Sequence, residues 1–96
     1  VLVGVCHTDL GDPGERASGY YRAPWHWEDI RRNQQWIGIF QSDDDPHIPV
    51  SEARFVAAQL RGSYFELTGR GHFTNREAFP ELVQFVQRKL ALTAGD

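Results

Sequence analysis

Three short apolar runs, each followed by a segment of different period, set the plan of the chain. Val1-Leu2-Val3-Gly4-Val5-Cys6 is continuous and rich in valine, the pattern of a strand buried on both faces of a parallel sheet. Trp36-Ile37-Gly38-Ile39-Phe40 and Ser63-Tyr64-Phe65-Glu66-Leu67 repeat it. His7 to Ala23 is punctuated by Gly11, Pro13, Gly14 and Gly19, with Asp9 and Asp12 as turn formers, which predicts a long loop. Pro24 then opens a helix with Glu28 and Asp29 near its positive N-terminal end and Trp27, Ile30 and Trp25 as inward contacts. From Val50 to Arg61, Ala53, Val56, Ala57 and Leu60 form one amphipathic stripe, with Ser51 expected as N-cap and Gly62 as C-cap. Phe79 to Leu92 predicts a last helix with Phe79, Val83, Val86 and Leu90 on its inner stripe. Strands alternating with helices imply an α/β architecture around a parallel sheet.

In such a sheet the chemistry lies beyond the carboxyl ends of the strands. The second strand delivers Ser42-Asp43-Asp44-Asp45-Pro46-His47-Ile48-Pro49 there, and the third delivers Gly69-Arg70-Gly71-His72-Phe73. A carboxylate followed in chain order by a histidine, each after a strand, is the back half of a Ser…Asp…His triad of the α/β-hydrolase order. Asp45 is the expected acid, because Pro46 biases it towards an extended backbone just past the strand; Asp43 and Asp44 are expected to serve as turn acceptors. His72 is the expected base, set by a glycine-flanked turn. The front half is missing: no Gly-x-Ser-x-Gly occurs, and Ser18, Ser42, Ser51 and Ser63 lack the strand–elbow–helix setting of a nucleophile. A metal held by Asp43, Asp45, His47 and His72 fits none of the usual ligand spacings, so no metal and no cofactor is expected. His7 reads as a polar strand end, His26 as helix surface, and Cys6 as a small buried residue.

Length and charge narrow the setting. Ninety-six residues make one domain at most. A net charge of −3 without a basic stripe argues against nucleic acid. No apolar run approaches the roughly 20 residues of a membrane span, so no membrane partner is expected. The single cysteine allows no internal disulfide and fits a cytoplasmic setting. Because the chain starts inside an apolar run, residues 1–96 are expected to be the C-terminal part of a longer domain. The uncovered Val1–Cys6 strand is then expected to drive self-association.

Beyond these features, Asp9-Leu10-Gly11-Asp12, Glu15-Arg16-Ala17-Ser18-Gly19-Tyr20, Pro24-Trp25-x-Trp27-Glu28, Ser42-x-Asp44-Asp45-Pro46-x-x-Pro49 and Gly71-His72-Phe73-x-Asn75 resemble the C-terminal half of the retinoblastoma-binding protein 9-like serine hydrolases. The resemblance runs from Val1 to about Leu92. It implies a three-layer α/β-hydrolase-like parallel sheet, of which this chain carries the C-terminal β-α-β-α-β-α portion. It also implies Asp45 as triad acid, His72 as triad base, and a nucleophile in an elbow upstream of Val1. The expected activity is cleavage of an ester, thioester or amide in a small acyl substrate, with Tyr20, Trp25 and Trp27 walling an acyl pocket. The alternative is a non-catalytic binding domain that has kept the fold.

Overall fold

The computed structural model describes residues 1–73 and 78–94. Its elements run β1 (Leu2–Val3), α1 (Pro13–Ser18), α2 (Trp27–Arg32), β2 (Gly38–Ser42), α3 (Val50–Leu60), β3 (Ser63–Leu67) and α4 (Pro80–Ala94). The three strands form one parallel sheet in the order β1-β2-β3, with Leu2 opposite Ile39 and Phe40 opposite Phe65. Every residue of β2 is buried, as a central strand between two helical layers must be.

The two faces of β2 are covered differently. Ile39 packs with Val56 and Leu60 of α3, and Leu2, Val5, Trp27, Ile30 and Tyr64 close around them. On the opposite face Phe40 stacks on Phe65 at 4.8 Å between centroids and meets Phe85 of α4 edge-on at 5.7 Å. Phe85 lies directly over Gly38, where any Cβ would collide with its ring. The glycine inside β2 is therefore a socket for an aromatic side chain.

Several elements differ from expectation for identifiable reasons. The first strand is two residues long and lies at the sheet edge, so Val1 and Val3 are 50% and 39% exposed rather than buried on both faces. Gly4 ends it by turning to φ 61° while its N–H still reaches the Phe40 carbonyl at 3.1 Å. The expected loop of residues 7–23 contains α1. Asp12 caps it by accepting from the Gly14 N–H, Pro13 supplies the first turn, and Gly19 closes it in the left-handed conformation. The N-cap of α3 is Pro49, with no side-chain cap bond, not Ser51. Its C-cap is Arg61 at φ 53°, not Gly62. Gly62 serves close packing instead, since a Cβ there would lie 2.9 Å from the Ile37 carbonyl oxygen. On α4 the buried anchor is Phe85, 3% exposed, while Val83 and Leu90 are 49% and 56% exposed. Among the described residues no helix is long and apolar enough to cross a membrane.

Candidate active site

Parallel pairing brings the loops after β2 and β3 to the same edge of the sheet. There the three consecutive aspartates divide the work of holding them together. Asp43 extends the β2–β3 ladder, its N–H donating to the Leu67 carbonyl at 2.8 Å, and its carboxylate accepts from the Gly69 N–H at 3.1 Å. The buried Ser42 hydroxyl donates to Asp44 Oδ1 at 2.7 Å and accepts from the Arg70 N–H at 2.9 Å. Asp44 Oδ1 also accepts from the Gly71 N–H at 2.9 Å. Gly69 and Gly71 take φ of 68° and 60°, a conformation a side chain would strain, so the turn aims its N–H groups at these carboxylates. The Arg70 guanidinium pairs with Glu81 in the first turn of α4 and ties the turn from its other side.

The third aspartate faces the histidine. Asp45 Oδ1 accepts from the N–H groups of His47 and Ile48 at 2.8 and 3.1 Å, and Oδ2 lies 3.0 Å from His72 Nδ1. Burial alone would raise the Asp45 carboxyl. The His47 N–H, the His72 imidazole and the Ile48 N–H outweigh it and hold the group below its ordinary 3.8. At Asp44 the Ser42 hydroxyl and the Gly71 N–H likewise lower the carboxyl. The Asp45 side chain is fully shielded from solvent, whereas that of His72 is 45% exposed. A carboxylate on Nδ1 selects the tautomer in which Nε2 is the free base, and here Nε2 makes no hydrogen bond to a described residue. His47 packs edge-on to the His72 ring at 5.0 Å between centroids. No group of three or more His, Cys, Asp or Glu side chains among the described residues is arranged to hold a metal ion.

The aromatic residues gather elsewhere. Trp25 and Trp27 line a cavity of about 280 Å³ together with His7, Tyr21, Arg22 and Phe55. Tyr20 is 69% exposed and does not line it; its neighbour Tyr21 does. Neither Asp45 nor His72 reaches this cavity. A second cavity of about 480 Å³ shares Thr8 and Tyr21 with the first and extends to His47, so the two regions join along one surface.

His7 and Glu52 form a second histidine–carboxylate pair that the sequence pattern does not signal. Nε2 of His7 lies 3.2 Å from Glu52 Oε2, and Glu52 Oε1 accepts from the N–H groups of His7 and Thr8 and from the Thr8 hydroxyl. Phe55 was legible only as an apolar residue off the inner stripe of α3, where it stacks on the His7 ring at 4.2 Å.

No family model matches the chain. Over 90 residues, 94% of its length, it is 46% identical to serine hydrolase RBBP9 of Rattus norvegicus. The chain is a homologue of that protein. It spans about half the length of that relative, 48%. The ydeN gene product of B. subtilis superposes with a TM-score of 0.82 at 18% identity, over 94% of this chain and 50% of that one. The fold is thus that of an α/β-hydrolase. Of the motifs that carry the resemblance to RBBP9-like proteins, Asn75 lies outside the described residues.

Proposed function

We propose that the chain supplies the acid and base of a Ser-His-Asp acyl-transfer site, with the serine contributed by polypeptide outside these 96 residues. The observation that carries this is the 3.0 Å contact between Asp45 Oδ2 and His72 Nδ1, with Nε2 left unengaged by described residues. Ser42, the serine closest in sequence to the pair, is committed to Asp44 and Arg70 and is buried. In the proposed cycle His72 Nε2 takes the proton of the incoming serine as its oxygen attacks the carbonyl of an ester, thioester or amide. Asp45 stabilises the imidazolium through Nδ1–H. His72 then protonates the leaving group, and the same base activates water to release the acid. No cofactor enters these steps. The single cysteine supports a cytoplasmic setting.

The test is reconstitution. The 96-residue chain alone should neither hydrolyse p-nitrophenyl esters above free imidazole nor react with a fluorophosphonate probe, because the nucleophile and the oxyanion hole are the largest missing contributions. Mixed with a polypeptide corresponding to the remaining half of the rat relative, it should do both. Asp45→Asn in the complex should lower turnover roughly 10³–10⁴-fold. Labelling of a serine within residues 1–96 would place the nucleophile in this chain, a complex indifferent to loss of His72 would mean another base, and a complex that neither hydrolyses nor labels would favour the binding-domain alternative.

A further inference from the structure

We infer that the cavity over the end of β1 is a binding site for a single-ring aryl carboxylate, separate from the Asp45–His72 pair. Five rings in mutual contact form a collar around it. Tyr21 stacks on Trp25 at 6.3 Å, Trp25 meets Trp27 at 5.4 Å, Trp27 meets Phe55 edge-on at 6.0 Å, and Phe55 stacks on His7 at 4.2 Å. Rings locked against one another leave a slot whose faces are already ordered, so a flat ligand ring gains stacking with little rearrangement. The volume of about 280 Å³ lies just below the roughly 300–1,000 Å³ typical of sites for drug-sized ligands, which limits the occupant to about one ring and a short chain.

The charge of the ligand follows from which polar groups are already engaged. Glu52 is consumed by His7 and Thr8, and the His7 Nε2 and the Thr8 hydroxyl are consumed by Glu52. Arg22 lines the same cavity, and its guanidinium makes no hydrogen bond or ion pair with any described residue. The tip of that guanidinium lies against Gly19, where a Cβ would make an ordinary van der Waals contact with Nη2 at 3.4 Å. An aromatic collar would also suit a quaternary ammonium. Here the uncommitted charge is positive and no free carboxylate lines the cavity, so an anion is selected. A carboxylate on a short tether from a ring in the collar is the group Arg22 would take, since planar guanidinium and carboxylate match as a two-bond pair.

The inference concerns binding alone and stands whether or not the Asp45–His72 pair acts on an ester. The probes are 3-phenylpropionate, its alcohol 3-phenylpropanol, and phenylpropyl-trimethylammonium. They are titrated by tryptophan fluorescence into the full chain, alone or reconstituted, in whichever preparation has a near-ultraviolet circular dichroism spectrum of packed tryptophans. The acid should bind roughly tenfold tighter than the alcohol. Arg22→Gln, a change at an exposed position, should abolish that preference and leave alcohol binding unchanged. Phe55→Ala should weaken acid and alcohol alike. Equal binding of acid and alcohol, tighter binding of the ammonium, or no binding to the packed protein would overturn the inference. None of these outcomes bears on the reconstituted esterase assay, which tests the catalytic proposal separately.

Discussion

At the scale of single residues, the run Asp43-Asp44-Asp45 looks like mutual repulsion, yet each carboxylate has its own donors. Asp43 and Asp44 hold N–H groups of the Gly69–Gly71 turn, and Asp45 holds the imidazole and its own loop. The proline after Asp45 is what sets it apart from its neighbours in the sequence, and in the structure it is Asp45 whose Oδ2 lies 3.0 Å from His72 Nδ1. The partners of Asp43 and Asp44 were not legible, because they depend on a register between β2 and β3 that no local pattern states. The lowered carboxyl at Asp45 has a defined pH consequence. Its folded value lies below the ordinary 3.8, so its contribution to stability is complete above that pH and is lost as pH falls through the folded value. Asp45→Asn should cost about 1–3 kcal/mol near neutrality, by removing the shielded charge and replacing the Oδ2 acceptor that faces His72 with an NH2 donor. In thermal melts from pH 7 to 2, the gap between wild type and variant should narrow only below about 3.8. A gap constant across that range would show that the carboxylate is not the ionised partner of these donors.

At the scale of elements, period and apolar runs located β3 and α3, because both bury one face against the sheet. They missed α1, although Asp12, Pro13 and Gly19 are a complete set of helix end signals, because a six-residue helix with no buried residue has no periodicity to read. They misplaced the inner face of α4 as well. What decides that face is the socket at Gly38, three elements earlier in the chain. Gly38→Ala should therefore destabilise the protein by about 1–3 kcal/mol through overpacking against Phe85, measured as a shift of the urea midpoint at unchanged slope. Arg61 offers the opposite sign. A left-handed backbone strains a residue with a Cβ, so Arg61→Gly should raise the midpoint by the equivalent of about 0.5–1 kcal/mol. No gain would mean that the Arg61 side chain holds contacts that offset its strain.

At the scale of the whole molecule, the sheet ends abruptly at β1. Its outer edge carries no strand among the described residues, and Val1 and Val3 are exposed beside it. Unpaired N–H and C=O groups next to apolar side chains recruit further strands. Sedimentation equilibrium of the 96-residue chain should show association that grows with concentration. Val3→Lys, which places a charge on that edge, should suppress it. A monodisperse monomer with a cooperative melt would show that three strands and their helices suffice alone. The α/β class was legible from alternation of elements. The exposure of the first strand was legible only as an inference from its composition, because an apolar run reads the same whether or not a neighbour covers it.

The Glu52 clasp gives α3 a second role as an anchor for the segment after β1. Its first turns carry Glu52 and Phe55, which grip His7 and close one wall of the aromatic collar. Its N-terminus is joined through Pro49 to the loop that Asp45 closes with two hydrogen bonds of its own. Pro49, Glu52 and Phe55 all fall at the N-terminal end of α3, so the clasp on His7 and the loop that Asp45 closes hang from the same end of one helix.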